Sequence, residues 1–222
     1  MNYDVIIVGA GPGGIYSAYE LMKKCGDKRI AVFDSGYSLK KRHCPIDGEK
    51  VKACIKCKSC SIMSGFGGAG AFSDGKYNIT NDFGGTLYEY IGKKAATELM
   101  QYVDEINMDR GGEGTKMYST AGTNLKKVCL QNRLKLLNAS VRHLGTDINL
   151  VVLGQLYDEL KEHVDFYFES PVSHIECLEN GGYRVWSNDQ SYDCGKCIVS
   201  VGRSGSKWME HIWKELDIPT KS

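Results

Sequence analysis

An apolar run, Tyr3-Asp4-Val5-Ile6-Ile7-Val8, leads without a break into Gly9-Ala10-Gly11-Pro12-Gly13-Gly14. A strand that ends on G-x-G-x-x-G has few ways to continue. Gly9 permits a tight turn, Gly11 lets a pyrophosphate approach the backbone, and Gly14 lets the next helix pack closely. Residues 15–24 read as that helix, whose N-terminus offers N–H groups and a positive dipole end to phosphates. A second short strand, Ile30-Ala31-Val32-Phe33, ends on Asp34, 20 residues past Gly14, where a carboxylate can accept a hydrogen bond from a ribose 2′-OH. The glycine pattern alone is a weak signal, and a purely structural turn is the alternative. Strand, glycines, helix, strand and acid in this order predict an adenine dinucleotide site.

The rest of the composition sets bounds. The 222 residues can bury a sizeable core, read as one nucleotide-binding domain over 1–222 with a cysteine-rich insert at 37–64. A formal net charge of +1 gives no pull toward nucleic acid or membrane. No apolar run approaches the roughly 18 residues of a membrane span. No signal peptide precedes the first strand, so the nine cysteines read as reduced thiols, metal ligands or redox groups, and the cytoplasm is the expected compartment. G-x-S-x-G, P-loop and H-E-x-x-H motifs are absent, which leaves hydrolase and nucleoside-triphosphatase readings without residues.

Residues 35–64 lack periodicity, and residues 65–86 hold too many glycines for the interior of a regular element. Helical spacing of Leu87, Ile91, Ala95, Leu99, Val103 and Ile106 predicts a helix over 87–108. Further helices are expected over 124–137, with Leu125, Val128, Leu130, Leu134 and Leu137 on one face, and over 147–162. These stripes are read as core. The chain then turns strand-rich: 165–168, 172–177 and 183–186 around a hairpin turn at Asn180-Gly181-Gly182, then 196–201 into Gly202. A final helix is expected over 208–216.

Cys54-x2-Cys57-x2-Cys60, with Cys44 ten positions earlier, places four thiols inside 17 residues. Such a set can ligate an iron–sulfur cluster or a structural zinc, or the thiols can bind nothing and serve redox chemistry. Seven basic residues between Lys40 and Lys58 would offset thiolate charge, or simply form a solvated basic loop. Cys194-x2-Cys197 flanks an apolar strand and reads as a buried structural pair, and Cys25, Cys129 and Cys177 read as packing residues. His143 before Gly145-Thr146-Asp147 marks a helix start, and Lys76 after Asp74 is a candidate to stabilise negative charge on a cofactor ring.

Five segments together resemble the amino-terminal half of the uncharacterised FAD-dependent dehydrogenases, bacterial and archaeal flavoproteins with a glutathione-reductase-like FAD domain. They are 9–14 with Asp34, Cys44-Pro45 with Cys54, Cys57 and Cys60, the glycine-rich 65–76, 143–147, and Ile198-Val199-Ser200-Val201-Gly202-Arg203. The resemblance implies an α/β, Rossmann-like FAD/NAD(P)-binding three-layer fold with a small β-meander and the cysteine-bearing insert. It implies FAD rather than NAD, held by Gly9, Gly11, Pro12, Gly13, Gly14, Asp34, Gly67, Gly68, Ala69, Gly70, Ser73 and Gly202. Cys44, Cys54, Cys57 and Cys60 are the expected metal ligands. Family members continue for about as many residues again, so a second chain supplying that half is an expected partner, beside a small-molecule electron donor or acceptor. The implied activity is a flavin-dependent oxidoreductase. The alternatives are a non-catalytic nucleotide-binding or zinc-stabilised interaction module, or an NAD-linked enzyme with a cysteine nucleophile.

Overall fold

The computed structural model describes residues 2–179 and 181–220. In chain order these form β1 (Asn2–Val8), α1 (Pro12–Lys24), β2 (Ile30–Phe33), β3 (Lys76–Ile79), α2 (Leu87–Ile91), α3 (Lys93–Asn107), β4 (Met117–Ser119) and α4 (Leu125–Gln131). After these come β5 (Ser140–His143), α5 (Thr146–Leu160), β6 (Val164–Tyr167), β7 (Val172–Cys177), β8 (Tyr183–Ser187), β9 (Gln190–Val199) and α6 (Ser206–Glu215). Short 3₁₀ turns lie at Leu39–Lys41, Gly68–Phe72 and Arg203–Gly205. The chain divides into two compact units, Met1–Ala71 with Leu156–Ser222, and Phe72–Gln155.

The first unit is built on a six-stranded sheet in the order β6-β2-β1-β9-β8-β7. β6, β2, β1 and β9 run parallel, and β9, β8 and β7 form the antiparallel meander. β1 and β2 are nearly continuous apolar strands because they are central and covered on both faces. Alternation sends Ile6, Val8, Ala31 and Phe33 into one core with Ile175, Val185 and Tyr192 of the meander and Ile212 of α6. Val5, Ile7, Ile30 and Val32, of opposite parity, are buried as well, and α1 packs on β1 and β2 through its buried Ile15, Ala18 and Tyr19. Each buried Val, Ile or Phe among them contributes about 1.5–3 kcal/mol. Phe66, Tyr157, Phe166 and Phe168 add an aromatic cluster with ring centroids 4.9–6.0 Å apart. This mixed α/β architecture has the Rossmann-like FAD/NAD(P)-binding fold.

The second unit carries a three-stranded antiparallel sheet, β3-β5-β4. Arg142 on β5 forms a two-pronged ion pair with Asp104 on α3, Nε to Oδ1 at 3.0 Å and a terminal nitrogen to Oδ2 at 2.7 Å. None of its three short strands was expected from the sequence. They hold three or four residues each and are fixed by pairing rather than by apolar alternation.

The helix expected over 87–108 is two helices, broken at Gly92, whose φ of +82° an L side chain rarely adopts. The helix expected over 124–137 ends at Gln131. Its stripe is not core, because Leu125, Val128, Leu130, Leu134 and Leu137 are all exposed. The helix over 147–162 is close to α5; of its expected stripe Leu153, Leu156 and Leu160 are buried and Leu150 and Tyr157 partly so, and Val152, outside that stripe, is buried too. β9 starts six residues earlier than expected, at Gln190. The hairpin turn placed at Asn180 falls partly outside the described residues. Among the described residues, no helix is long and apolar enough to cross a membrane.

Candidate dinucleotide-binding site

Register brings the site together. Val8 pairs with Phe33 on one side and Val199 on the other, and Phe33 pairs with Tyr167, so four parallel strands end level. The ladder runs one residue further, with Gly9 N–H donating to Phe33 O (2.7 Å), Asp34 N–H to Tyr167 O (2.9 Å) and Ser200 N–H to Val8 O (2.8 Å). Residues 9–14, Asp34 and residues 200–202 therefore emerge at one edge, at the carboxyl ends of the strands. In open α/β sheets that edge is where ligands bind.

The glycines differ in what they do. Gly9 has φ +106°, and a Cβ there would stand 2.5 Å from Ser200 O. A Cβ on Gly14 would lie 1.8 Å from Gly9 O, so the turn closes only without one. Gly11 is different. It is the N-cap of α1, and its added Cβ would meet only Gly68 Cα, at 3.9 Å. The protein leaves space there that a side chain would take. Pro12 opens α1 at a position with no need of an N–H, no side chain caps the helix, and no acid sits in its first turn. Gly11, Gly13 and Gly14 present N–H groups that have no acceptor within the helix. The 13-residue helix thus offers an anion an uncontested positive end.

The second glycine-rich segment packs against this turn. Gly67 N–H donates to Ala10 O at 2.8 Å, and a Cβ on Gly68 (φ +54°) would lie 3.0 Å from Gly11 Cα. Added Cβ atoms on Gly68 and Gly70 would each stand 3.6 Å from the Pro12 ring. Ala69 in the same 3₁₀ turn is exposed. Gly202, at φ +62°, follows β9 and has open space around its Cβ position. Ser73 lies in the second unit, where its Oγ accepts from Gly75 N–H at 3.2 Å. Lys76, also there, is paired with Asp74 at 2.6 Å, and this contact holds the Asp74 carboxyl below its usual range. His143 is exposed at the end of β5.

Asp34 does more than end a strand. Its Oδ2 accepts from Ala10 N–H (2.8 Å), and its Oδ1 accepts from Gly36 N–H (2.7 Å) and Gly65 N–H (2.8 Å). One carboxylate ties together the first glycine turn, the end of β2 and the start of the second glycine segment. A carboxylate has about four acceptor positions, which leaves one for a ribose hydroxyl.

Sequence reasoning missed Arg42 and Ser200. Arg42 is 5% exposed, and its guanidinium donates to Ser61 O (2.8 Å), Ile62 O (2.8 Å) and Phe66 O (2.6 Å). Burial draws its pKa down, while the nearby Asp34 and Cys60 act in the opposite sense. In the sequence it is one of seven basic residues in a polar stretch, with nothing to single it out. Ser200 backs the first turn, its Oγ donating to Gly9 O at 3.2 Å.

The structure does not gather the four thiols of the insert. Cys54, Cys57 and Cys60 are exposed and Cys44 is half-buried. Among the described residues no three His, Cys, Asp or Glu side chains converge as a metal site. The insert as folded does not fit a four-thiolate centre. Cys194 is buried and hydrogen-bonded through its side chain to Cys197, whose thiol is pushed up by that contact and by burial. Cys25 and Cys129 are half-exposed and Cys177 is exposed, so none of these three is a core residue. In native protein supplied with iron or zinc, a thiol reagent should still label the exposed Cys54, Cys57 and Cys60 within the first minutes, and the buried Cys194 only on unfolding. Mass spectrometry of tryptic peptides reads this directly. Protection of the three insert thiols, lost on chelation, would restore the shared-centre reading.

No protein-family model and no curated protein matches the sequence. Solved structures do match. One is NikD, an unusual amino acid oxidase essential for nikkomycin biosynthesis, in its open form: TM-score 0.50, 10% identity, covering 96% of this chain and 54% of that one. Another is glycine oxidase from Geobacillus kaustophilus, at TM-score 0.50 and 16% identity, covering 94% of this chain and 58% of that one. A third is dithionite-reduced L-α-glycerophosphate oxidase from Mycoplasma pneumoniae with FAD bound, at TM-score 0.51 and 15% identity, covering 96% and 57%. Likeness at such identities shows the fold. The chain spans little more than half the length of each.

Proposed function

We propose that the first unit holds the adenosine–diphosphate part of FAD and that the chain is part of a flavin-dependent oxidoreductase. One observation carries this reading. At the carboxyl edge of the parallel strands the protein leaves the Gly11 position open, while Gly9 and Gly14 beside it admit no side chain. A purely structural glycine turn gives no reason for that space. Gly11, Gly13 and Gly14 would hold the pyrophosphate through backbone N–H groups and the α1 dipole. Asp34 would accept a ribose hydroxyl, and residues 67–70 would line the approach. FAD, when bound, supplies hydride and single-electron chemistry. This chain's residues bind and orient it. The choice of FAD over NAD, and kinship with the uncharacterised FAD-dependent dehydrogenases, rest on the glycine-rich segment 65–76 and the motif 198–203. Three oxidases of the same fold, one with FAD bound, are consistent with it.

The test is a pair of titrations. The parent chain should bind FAD and quench its fluorescence. Gly11→Val, whose side chain enters the open space, should bind at least about tenfold more weakly, a loss of about 1.4 kcal/mol or more, with unchanged circular dichroism. Equal affinity of variant and parent for FAD would sink the assignment. Binding of NAD in place of FAD would keep the site and change the cofactor.

A further inference from the structure

We propose that residues 120–139 form a docking arm for another polypeptide, one whose contact face is apolar and rimmed by carboxylates. The inference stands apart from the cofactor reading, since every residue it uses lies in the second unit. The arm is an excursion between the paired strands β4 and β5. Its base is closed by Thr120 N–H to Ala139 O and Ala139 N–H to Thr120 Oγ1, each 3.0 Å. Beyond the base, α4 has no buried residue at all. Leu130 and Leu134 are 65% and 61% exposed, and Leu125, Val128 and Leu137 are exposed with them. A segment that holds five large apolar side chains in water lacks the burial that would normally fix it.

Charge points to the occupant. Residues 120–139 contain Lys126, Lys127, Arg133 and Lys135 and no Asp or Glu. A second copy of the same arm would bring like charges together, which is unfavourable. An apolar face edged with carboxylates would match both features.

The wider unit favours a polypeptide over a membrane. Among the described residues it buries five hydrophobic side chains and exposes twelve large ones, with Leu87, Tyr90 and Ile91 well outside the arm in sequence. That distribution describes a core awaiting more protein rather than one inserting tip.

The experiment uses the 222-residue chain. Its probe is a synthetic amphipathic peptide with leucines at helical spacing flanked by glutamates. The controls are the same peptide with lysines in place of the glutamates, and vesicles of phosphatidylglycerol and phosphatidylcholine. Hydrogen exchange is read over residues 123–137. The acidic peptide should slow exchange there about tenfold or more, and raising salt from about 0.05 to 0.3 M should weaken the effect. The lysine peptide should not. A Leu125→Ser, Val128→Ser, Leu134→Ser variant should lose the protection while keeping its circular dichroism. Three results would overturn the proposal. They are no protection by the acidic peptide, protection by anionic vesicles instead, or concentration-dependent self-association that the triple variant abolishes.

Discussion

Gly14→Ala should unfold the first unit or leave it severely destabilised. The added methyl would lie 1.8 Å from Gly9 O and 3.0 Å from Gly9 C, both backbone atoms, with Ser200 Oγ at 3.1 Å behind it. No rotamer change relieves a clash with backbone. The turn must open, and with it the seat of α1 on β1 and β2. A loss of about 4 kcal/mol or more is expected, above the roughly 1–3 kcal/mol usual for overpacking because the clashing atoms are backbone and cannot yield. Urea unfolding followed by circular dichroism gives the number. Gly11→Ala is the matched control, because its methyl has space and should change stability by less than about 1 kcal/mol. The two glycines stand three residues apart in one motif, yet one should govern folding and the other ligand access. Near-equal stability losses would mean that the turn is not as tight as described.

Arg42→Met should be the second large effect. It removes donors from the carbonyls of Ser61, Ile62 and Phe66 in a site only 5% exposed at the arginine. Leaving a buried acceptor without a partner costs about 1–3 kcal/mol, so a total near 3–5 kcal/mol is expected. Arg42→Lys keeps the charge but not the planar fork, and should recover only part of the loss. The damage should be local before it is global. Hydrogen exchange at Gly65, Phe66 and Gly67 should accelerate at urea concentrations where β1 and β2 remain protected. FAD affinity should fall along with the order of that segment. A Met variant within about 1 kcal/mol of the parent would show that the three carbonyls find other donors.

These two residues mark the limits of reading the chain unaided. Gly14 was legible because its constraint is local: a strand, a turn and a helix within a few residues leave one arrangement, and the motif records it. The same holds for β1, β2, α1, α5 and most of the meander, whose apolar periods match the elements that form. Asp34 was legible as an acid at the right distance. That its carboxylate also binds Gly65 N–H, 31 residues away, was not. Arg42 and Ser200 act through contacts distant in sequence, and residue type alone does not separate a buried arginine from its solvated neighbours. The cysteines show the converse, since close spacing in sequence did not produce convergence in space.

The sequence by itself determined the Rossmann-like core and the place of its glycine turn, because strand period, glycine spacing and helix start are properties of neighbouring residues. Only the tertiary structure decided which apolar stripes are covered. The stripe of α5 meets protein at Leu153, Leu156 and Leu160, whereas the stripe read over 124–137 meets solvent, on α4 and beyond its end. Helical spacing fixes which side chains share a face, but burial depends on what else the fold brings against that face. The tertiary structure likewise turned scattered polar residues into a frame, with Asp34 and Arg42 holding two glycine segments together through backbone groups that no sequence pattern reports.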